Sequence, residues 1–275
     1  MSQVFTRYDR IKNMRLHRFI GDFDLSKKQL EIKDSEIIHQ ITKVLRFKAG
    51  DEIILSDGRT NESTALIEKI PAHNASSTAV ARPHDSHQRV GQAGGDKKSL
   101  IISLLKVYKN ENEPKNKVSL YCSILKRENF ELVLQKTTEC GVFEIIPIIT
   151  TRTVKTGLNK ERMEKIIKEA SEQSSRGTVP HLGEIITFEK SLIEAKKFDR
   201  KIIFDPSGKN FNPHQDEARE NSKIESIAIF IGPEGGFNEN EIKLAKENNF
   251  EILNLGKLIL RAETAVIVSS YLLTN

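Results

Sequence analysis

Two segments near the carboxyl terminus place charged residues beside glycines or apolar residues, in positions where they could contact a ligand. The first is IGPEGG, in which Glu234 is flanked by glycines at positions 232, 235 and 236. Adjacent glycines lack the Cβ atoms that hold a ligand away, so backbone N–H and C=O groups can reach it directly. The alternative is a tight turn without chemistry. The segment lacks both the Gly-Lys-Ser/Thr ending of a Walker A loop and the G-x-G-x-x-G pattern of dinucleotide-binding folds.

The second segment is LGKLILRAETA, where Arg261 and Glu263 stand between an apolar run and an apolar helix. Unpaired charges are costly in such surroundings. The two residues therefore predict either a structural ion pair or a pocket lined by charge. Glu263, near the first turn of the following helix, is also favoured by the helix dipole.

Each segment follows a short apolar run and precedes a helical pattern. Ile227–Ile231 and Glu251–Leu255 have the length and composition of buried strands. Asn238 followed by Glu241 is a capping-box signature, so Gly232–Phe237 must form a loop between strand and helix. Loops at the carboxyl ends of strands are where α/β proteins usually bind ligands.

The alternation of strands and helices extends back to residue 118. The pattern predicts further strands at Val118–Ile124, Phe143–Ile149 and Lys201–Phe204, and helices at Glu128–Cys140, Lys160–Ser175, Asn238–Asn249 and Glu263–Leu273. Strands that alternate with helices of roughly ten to fifteen residues indicate an α/β fold with a mainly parallel sheet.

One polar residue is predicted on the buried face of a helix. Gln173 lies three residues after Ala170 and seven after Ile166, which places it on the apolar stripe of the helix at 160–175. Arg176 follows at the end of that helix. A buried polar side chain needs a partner, which the spacing leaves open as protein or ligand.

Before residue 108 the sequence contains short strands and one amphipathic helix. Apolar residues near 16–20, 52–55, 65–70 and 99–108 predict a small β-barrel or sandwich. Residues 36–46 have helical periodicity, with Lys43 and Arg46 on or beside the polar face and Arg18 nearby in sequence. These cations either belong to a solvated surface or contact RNA phosphates.

Three segments differ in composition from these regions. Residues 1–13 are expected to form an amino-terminal extension. Residues 72–97 are poor in large apolar side chains and are expected to form a long mobile loop. The polar residues 109–117 mark a linker between the two patterns.

Composition limits the class of protein. The chain has 275 residues, a formal charge of +5, two cysteines and seven scattered histidines. These features predict no disulfide framework and no structural metal site, and the charge permits a polyanionic partner without requiring one. No apolar run is long enough for a transmembrane helix, and the first residues do not resemble a secretory signal, so we expect a cytoplasmic protein.

Five motifs, in order, resemble a known family. The segments ILKRENFELVLQKTTECGVFEIIP, TTR, EASEQSSRGTVP, IGPEGGFNENEI and LGKLILRAETA are similar to those of the RsmE family of 16S ribosomal RNA uridine N3-methyltransferases. HQITKVLRFKAGDEIILSDG resembles the amino-terminal PUA-like domain of that family. The resemblance extends from about residue 14 to residue 275, apart from the loop at 72–97.

The resemblance implies a PUA-like β-barrel domain at 14–108 that binds RNA, and a SPOUT domain at 114–275. The SPOUT domain would have a parallel sheet and a trefoil knot, and would bind S-adenosylmethionine. Members of this family are similar in forming homodimers whose active site lies at the subunit interface. The resemblance also implies 16S rRNA or the 30S subunit as the partner. The residues implied in cofactor binding are Gly232, Glu234, Gly235, Gly236, Leu255, Gly256, Leu260, Glu263 and Thr264, and those implied at the target base or dimer pocket are Arg152, Gln173, Arg176 and Arg261.

The implied chemistry suits these residue types. Removal of the N3 proton of uracil leaves negative charge on the flanking carbonyl oxygens, which an arginine can stabilise. Arg261 and Arg152 are the candidates for this role, and the base could be Glu234, Glu263 or solvent. No metal is required. Two alternatives stay open: another SPOUT reaction on ribose 2′-O or guanine, and a non-catalytic RNA-binding assembly factor.

Three positions depart from the family pattern. Cys140 stands where leucine is usual, Leu258 where arginine is usual, and Ala262 where threonine is usual. The change at Leu258 leaves Arg261 as the sole arginine of its motif, so the resemblance does not divide roles between two cations there.

Overall fold

The computed structural model describes residues 16–71, 99–213 and 225–275. The predicted extension at 1–13 and the predicted loop at 72–97 lie outside the described residues. The described residues form two compact units. One contains the residues up to Asp57 and from Asn61 to Tyr108, and the other contains Gly58–Thr60 and the residues from Lys109 onward.

The first unit is built on a five-stranded sheet with the strand order β1-β3-β4-β5-β2. Its strands are β1 (Arg18–Ile20), β2 (Gln29–Ile32), β3 (Glu52–Ser56), β4 (Asn61–Lys69) and β5 (Leu100–Lys109). β1 is parallel to β3, whereas β3 with β4 and β2 with β5 are antiparallel. Sequence periodicity missed β2, although its residues alternate between exposed and buried in the order expected of an edge strand.

The predicted helix of this unit is two shorter pieces. α1 (Ser35–His39) begins at Asp34, whose carboxylate accepts hydrogen bonds from two first-turn amides, and a π-helical segment follows at Gln40–Val44. The chain then leaves the helix at Arg46, which has a φ of 58°. The π-helical segment changes the register of the side chains, so Val44 is exposed and not on the buried face that a single helix predicts.

The second unit is a seven-stranded sheet with helices on both faces. Its path is β12-β10-β11-β6-β7-β8, with β9 also paired to β7, and every recorded pairing is parallel. The strands are β6 (Lys117–Ser123), β7 (Glu144–Ile149), β8 (His181–Leu182), β9 (Ile186–Thr187), β10 (Arg200–Asn210), β11 (Ser226–Ile231) and β12 (Glu251–Asn254). The helices are α2 (Arg127–Cys140), α3 (Lys160–Gln173), α4 (Phe188–Glu194), α5 (Glu239–Glu247) and α6 (Ala262–Thr274). The prediction of a mainly parallel sheet is confirmed.

Both faces of this sheet are buried, which explains the continuous apolar runs in its strands. Side chains of β6 alternate between the two faces. Leu120 contributes to a core with Phe130 of α2 and Val266 of α6. Tyr121 points to the other core, where its ring stacks on Phe230 with the centroids 4.4 Å apart.

Helix boundaries follow local signals. α2 ends at Gly141, whose φ of 98° is the left-handed conformation that glycine adopts without strain. α5 begins with the predicted capping box, in which Asn238 and Glu241 each accept a hydrogen bond from the other residue's backbone amide. α4, β8 and β9 were not predicted, because strands of two residues are too short for a periodic signal.

The end of β10 contacts β12 at two places. Leu253 is paired with both Phe204 and Lys209, which lie on either side of an irregularity in β10. The approach at Gly208 is so close that a Cβ atom there would lie 2.5 Å from the backbone nitrogen of Leu253. The segment between Phe204 and Lys209 therefore leaves the ladder and returns to β12. The trefoil knot stays a prediction.

Candidate active site

The two segments singled out in the sequence line a single cleft of about 1090 Å³. The loop after β11 and the loop after β12 form facing parts of its wall, and the end of β10 adds Phe204 and Asp205. The predicted cofactor residues that line the cleft are Gly232, Glu234, Gly235, Gly236, Leu255, Gly256, Leu260 and Glu263. Thr264 is exposed on α6 and does not line it. The loops therefore meet at the carboxyl edge of the parallel sheet, where ligands bind in such folds.

The glycine loop after β11 is tightly folded. The amide of Gly236 donates to the carbonyl of Pro233 at 2.8 Å, and Gly236 itself has a φ of +67°. A Cβ atom on Gly235 would lie 3.3 Å from Cδ of Arg152. The positive φ favours glycine at position 236, whereas at position 235 a Cβ atom would only require a small shift of the Arg152 side chain.

Arg152, which follows β7, holds this loop from two strands away in the sheet. Its Nη1 donates to the carbonyl oxygens of Gly235 at 2.6 Å and Phe237 at 3.4 Å. The amide of the adjacent Thr151 donates to Oε1 of Glu241 at 2.8 Å, while Oε2 of the same carboxylate accepts the capping-box hydrogen bond from the amide of Asn238. Arg152 is thus at the cleft, where it fixes the glycine loop.

Glu234 lies exposed at the rim of the cleft. Its Oε1 accepts a long hydrogen bond, 3.3 Å, from the amide of Lys126, the residue that precedes α2. A carboxylate at this position is favoured by the dipole of α2. The carboxylate of Glu234 is therefore accessible both to solvent and to a ligand in the cleft.

Arg261 projects from the second loop into solvent. Its side chain is 87% exposed, and its Nη1 lies 4.0 Å from Oε1 of Glu263, whose side chain is 12% exposed. An ion pair this long and this exposed contributes little to stability. The geometry therefore disfavours the structural ion pair and favours a charged group that is available to a ligand.

Asn254 links the end of β10 to the loop after β12, although sequence reasoning did not single it out. Its Nδ2 donates to the carbonyl of Gly208 at 2.6 Å, and its Oδ1 accepts from the amide of Gly256 at 3.0 Å. Lys126 and Asp205 are further lining residues that were missed. Asn254 is the last residue of β12, Lys126 follows β6, and Asp205 comes directly after the residues of β10 that pair with β11. The rule that ligands bind at the carboxyl ends of parallel strands could therefore have found them.

Two predicted substrate residues lie elsewhere. Gln173 is exposed, because the buried stripe of α3 runs through Met163, Ile167, Ala170 and Ser171 and leaves Gln173 to one side at 100° per residue. The prediction that Gln173 is buried was wrong. In the described chain neither Gln173 nor Arg176 lines the cleft.

Arg176 has a structural environment. It is 5% exposed, and its Nη2 lies 2.6 Å from Oε2 of Glu113 while its Nη1 donates to the carbonyls of Thr138 and Val142. Partial burial raises the pKa of Glu113, but the hydrogen bond and charge of Arg176 outweigh it and leave that pKa below its usual value. The interpretation of Arg176 as a substrate contact in this chain is therefore corrected to that of an anchor for the end of α2.

The predicted RNA-contacting residues of the first unit likewise include one that is buried and two that are exposed. Arg18 is buried and makes a bidentate contact with Glu62 at 2.8 and 3.1 Å, so its prediction as an RNA contact was wrong. Burial and the Glu62 carboxylate raise the pKa of Tyr108 beside this pair. Lys43 and Arg46 are exposed, as an RNA contact requires.

Neither cysteine supplies a nucleophile at the cleft. Cys122 is fully buried in β6, and burial followed by the charge of Glu234 raises the pKa of its thiol. Burial also raises the pKa of Cys140. Within residues 16–71, 99–213 and 225–275, no three His, Cys, Asp or Glu side chains are grouped to hold a metal ion, and no helix is long and apolar enough to span a membrane.

Comparisons with known proteins identify the family. The family model of the RNA methyltransferase domain matches residues 111–274, and that of the RNA methyltransferase PUA domain matches residues 32–78. Ribosomal RNA small subunit methyltransferase E of Rickettsia conorii is 30% identical over 248 residues, which are 88% of this chain and 87% of the relative. This chain belongs to the ribosomal RNA small subunit methyltransferase E family. The family member of Bacillus subtilis is 29% identical over 88% of this chain and 90% of its own.

Solved structures agree with this family. A ribosomal RNA small subunit methyltransferase E from Neisseria gonorrhoeae, bound to S-adenosylmethionine, has a TM-score of 0.73 and 26% identity, covering 93% of this chain and 95% of its own. A methyltransferase from Legionella pneumophila, in complex with the same cofactor, has a TM-score of 0.74 and 29% identity over 94% of this chain and 97% of its own. The parallel sheet and the PUA-like domain are thus those of this family.

Proposed function

We propose that this chain is an S-adenosylmethionine-dependent methyltransferase of 16S ribosomal RNA that methylates N3 of one uridine. The observation that carries the proposal is the meeting of the two glycine-containing loops, with Arg152, Arg261 and Glu234, in one cleft. The relatives bound to S-adenosylmethionine span nearly the whole of this chain, which supports the choice of cofactor.

The cleft fits the proposed cofactor in size and chemistry. Gly236 and Gly256, with φ values of +67° and +121°, turn the backbone so that N–H and C=O groups border the cleft without Cβ atoms between. Leu255 and Leu260 provide apolar contacts of the kind that a purine ring prefers. When bound, S-adenosylmethionine supplies an electrophilic methyl group attached to a sulfonium.

The residues of this chain would act on the uracil. Loss of the N3 proton leaves negative charge that is shared with the O2 and O4 oxygens. As N3 bonds to the methyl carbon, the bond between that carbon and sulfur breaks, S-adenosylhomocysteine leaves and the charge on the base is neutralised. Arg261, exposed at the mouth of the cleft, is positioned to stabilise that charge, and Arg152 keeps the glycine loop in place. Glu234 is our candidate for the base because it is accessible at the rim, with Glu263 and solvent as the other routes.

We further propose a cytoplasmic homodimer that acts on 16S rRNA or the 30S subunit. Leu258, Ile259 and Tyr271 are 81%, 86% and 58% exposed on the second loop and α6, and apolar side chains this exposed favour a surface that another copy covers. Lys43 and Arg46 would contribute phosphate contacts from the first unit.

The test compares ribosomal RNA from cells with and without the gene by nucleoside mass spectrometry. N3-methyluridine should be lost from 16S rRNA when the gene is deleted and return with the wild-type gene. If N3-methyluridine is unchanged and a 2′-O-methylated nucleoside or a methylated guanine is lost instead, the enzyme catalyses another methyl transfer and the proposed reaction is wrong. A purified chain that shows no calorimetric binding of S-adenosylmethionine would favour a non-catalytic assembly factor.

A further inference from the structure

A second, smaller pocket lies beside the cleft and is not explained by the cofactor or the reacting base. Its volume is about 250 Å³. Ile124, Leu125, Phe130 and Met163 line it but are each 3% exposed or less, whereas Leu158 adds an apolar side chain that is partly exposed. These five side chains are its apolar floor, and Leu158 is the part that a ligand can reach. The turn between β6 and α2 separates the two cavities, because Lys126 lines the cleft whereas the adjacent Arg127 lines the pocket. The two cavities are therefore close together along the chain at this turn.

The mouth of the pocket is positively charged. Arg127 and Lys155 line it, and Arg162 stands beside Arg127 across Glu131. Glu131 is the carboxylate that pairs with both arginines, at 3.1 Å from Arg127 and 2.7 Å from Arg162. Within the lining itself, the charged residues are two cations, Arg127 and Lys155, and no carboxylate.

An apolar floor with a cationic mouth has the two features that an unpaired nucleotide needs. The base can leave water for the floor, while the phosphate is neutralised by the cations. An acidic or purely apolar occupant would use only one of these features. The side chains of Arg127 and Arg162 are 63% and 49% exposed, so they are accessible to a polyanion.

We propose that this pocket binds an unpaired RNA nucleotide next to the methylated one, with its base on the apolar floor and its phosphate at Arg127 and Lys155. The proposal rests on the proposed function for the identity of the RNA. The pocket would help to hold the strand so that the target base enters the cleft. It would thus act on RNA affinity and leave the affinity for S-adenosylmethionine unchanged.

The experiment uses the full chain and a fragment of 16S rRNA that the wild-type protein binds. Arg127→Ala, Lys155→Ala and the double variant are compared with Lys190→Ala, a matched control whose side chain on α4 is also 63% exposed and paired with a glutamate four residues on. Glu131 keeps its contact with Arg162 in Arg127→Ala, so the variant should fold. RNA affinity is measured at several salt concentrations, alongside calorimetry with S-adenosylmethionine and light scattering.

The double variant should bind RNA about tenfold more weakly, and the slope of log K against log salt concentration should flatten by about 1.4, as expected for the loss of two cations on a single strand. Single abasic substitutions beside the methylated uridine should identify one position whose removal weakens wild-type binding but not binding by the double variant. Equal RNA affinity of the double variant and the Lys190→Ala control would overturn the proposal, as would a changed oligomeric state with unchanged RNA affinity. Absence of methylation by the wild-type protein would contradict the proposed function alone, since the binding comparison still decides the role of the pocket.

Discussion

Arg176 and Arg261 both flank helices of the second unit, but their surroundings are opposite. Arg176 is 5% exposed and reaches a carboxylate and two backbone carbonyls, whereas the side chain of Arg261 is 87% exposed and lies 4.0 Å from its nearest carboxylate. The first arginine is fully committed to the fold. The guanidinium N–H groups of the second are available to a ligand at the mouth of the cleft.

The difference shows that an arginine in a motif has no fixed role. Burial makes a charge depend on its protein partners, since an unpaired buried charge is costly. Exposure at the edge of a cleft leaves the charge available for a ligand, at little benefit to stability. Substitutions at the two positions should therefore separate stability from activity.

The largest expected effect is on folding, at Arg176. Arg176→Ala would leave the half-buried Glu113 and two carbonyls without their donor, so we expect a loss of about 3 kcal/mol in the free energy of unfolding. Urea denaturation measures it. Arg162→Ala, which removes an exposed pair with Glu131, is the control and should cost far less. Equal losses would mean that burial does not distinguish the two sites.

The next effect is on catalysis, at Arg261. If Arg261 stabilises charge on the uracil oxygens, Arg261→Ala should lower kcat by about 100-fold. Affinity for S-adenosylmethionine and the urea midpoint should change little. Single-turnover kinetics and calorimetry provide the comparison. Parallel losses in kcat, cofactor affinity and stability would instead assign Arg261 a structural role.

The third effect is the pH dependence of stability at Glu113. Its pKa in the folded chain is below the ordinary value of 4.5, so the stabilisation is fully present above about pH 4.5 and is lost as the pH falls through the lowered pKa. Glu113→Gln should be less stable than the wild type at pH 7. The difference between the two free energies of unfolding should shrink as the pH falls below about 4.5 and through the lowered pKa of Glu113. A constant difference across this range would be inconsistent with the paired carboxylate.

A smaller effect is expected in the glycine loop. Gly236→Ala forces a residue with a Cβ atom into a φ of +67°, at a cost of roughly 1 kcal/mol, whereas Gly235 has no positive φ and its Cβ would meet the flexible side chain of Arg152. Calorimetry should show a greater loss of S-adenosylmethionine affinity for Gly236→Ala than for Gly235→Ala. The reverse order would indicate that contact with Arg152, not backbone conformation, limits the loop.

Much of the site could be predicted because its signals are local. The glycines of the first loop, the capping box at Asn238 and the strands before both loops are each encoded within about ten residues of sequence. The family motifs then linked the two loops. Their meeting in one cleft also depends on the double contact of β10 with β12, which no local pattern contains.

The failures involve partners that are distant in sequence. Arg176 is 63 residues from Glu113, and Arg18 is 44 residues from Glu62, so neither burial nor pairing was visible in the sequence. Gln173 failed for a different reason. A helical stripe is about 100° wide, and an error of one position in its centre moves a residue near the helix end from buried to exposed.

The central claim is that the cleft transfers a methyl group to N3 of a uridine in 16S rRNA. The most direct measurement incubates the purified chain with 30S subunits or 16S rRNA from deletion cells and S-adenosylmethionine carrying a trideuterated methyl group, followed by nucleoside mass spectrometry. The account predicts trideuterated N3-methyluridine with the wild-type chain, and far less with Arg261→Ala. Label on a ribose or a guanine, or no label in RNA despite bound cofactor, would contradict it.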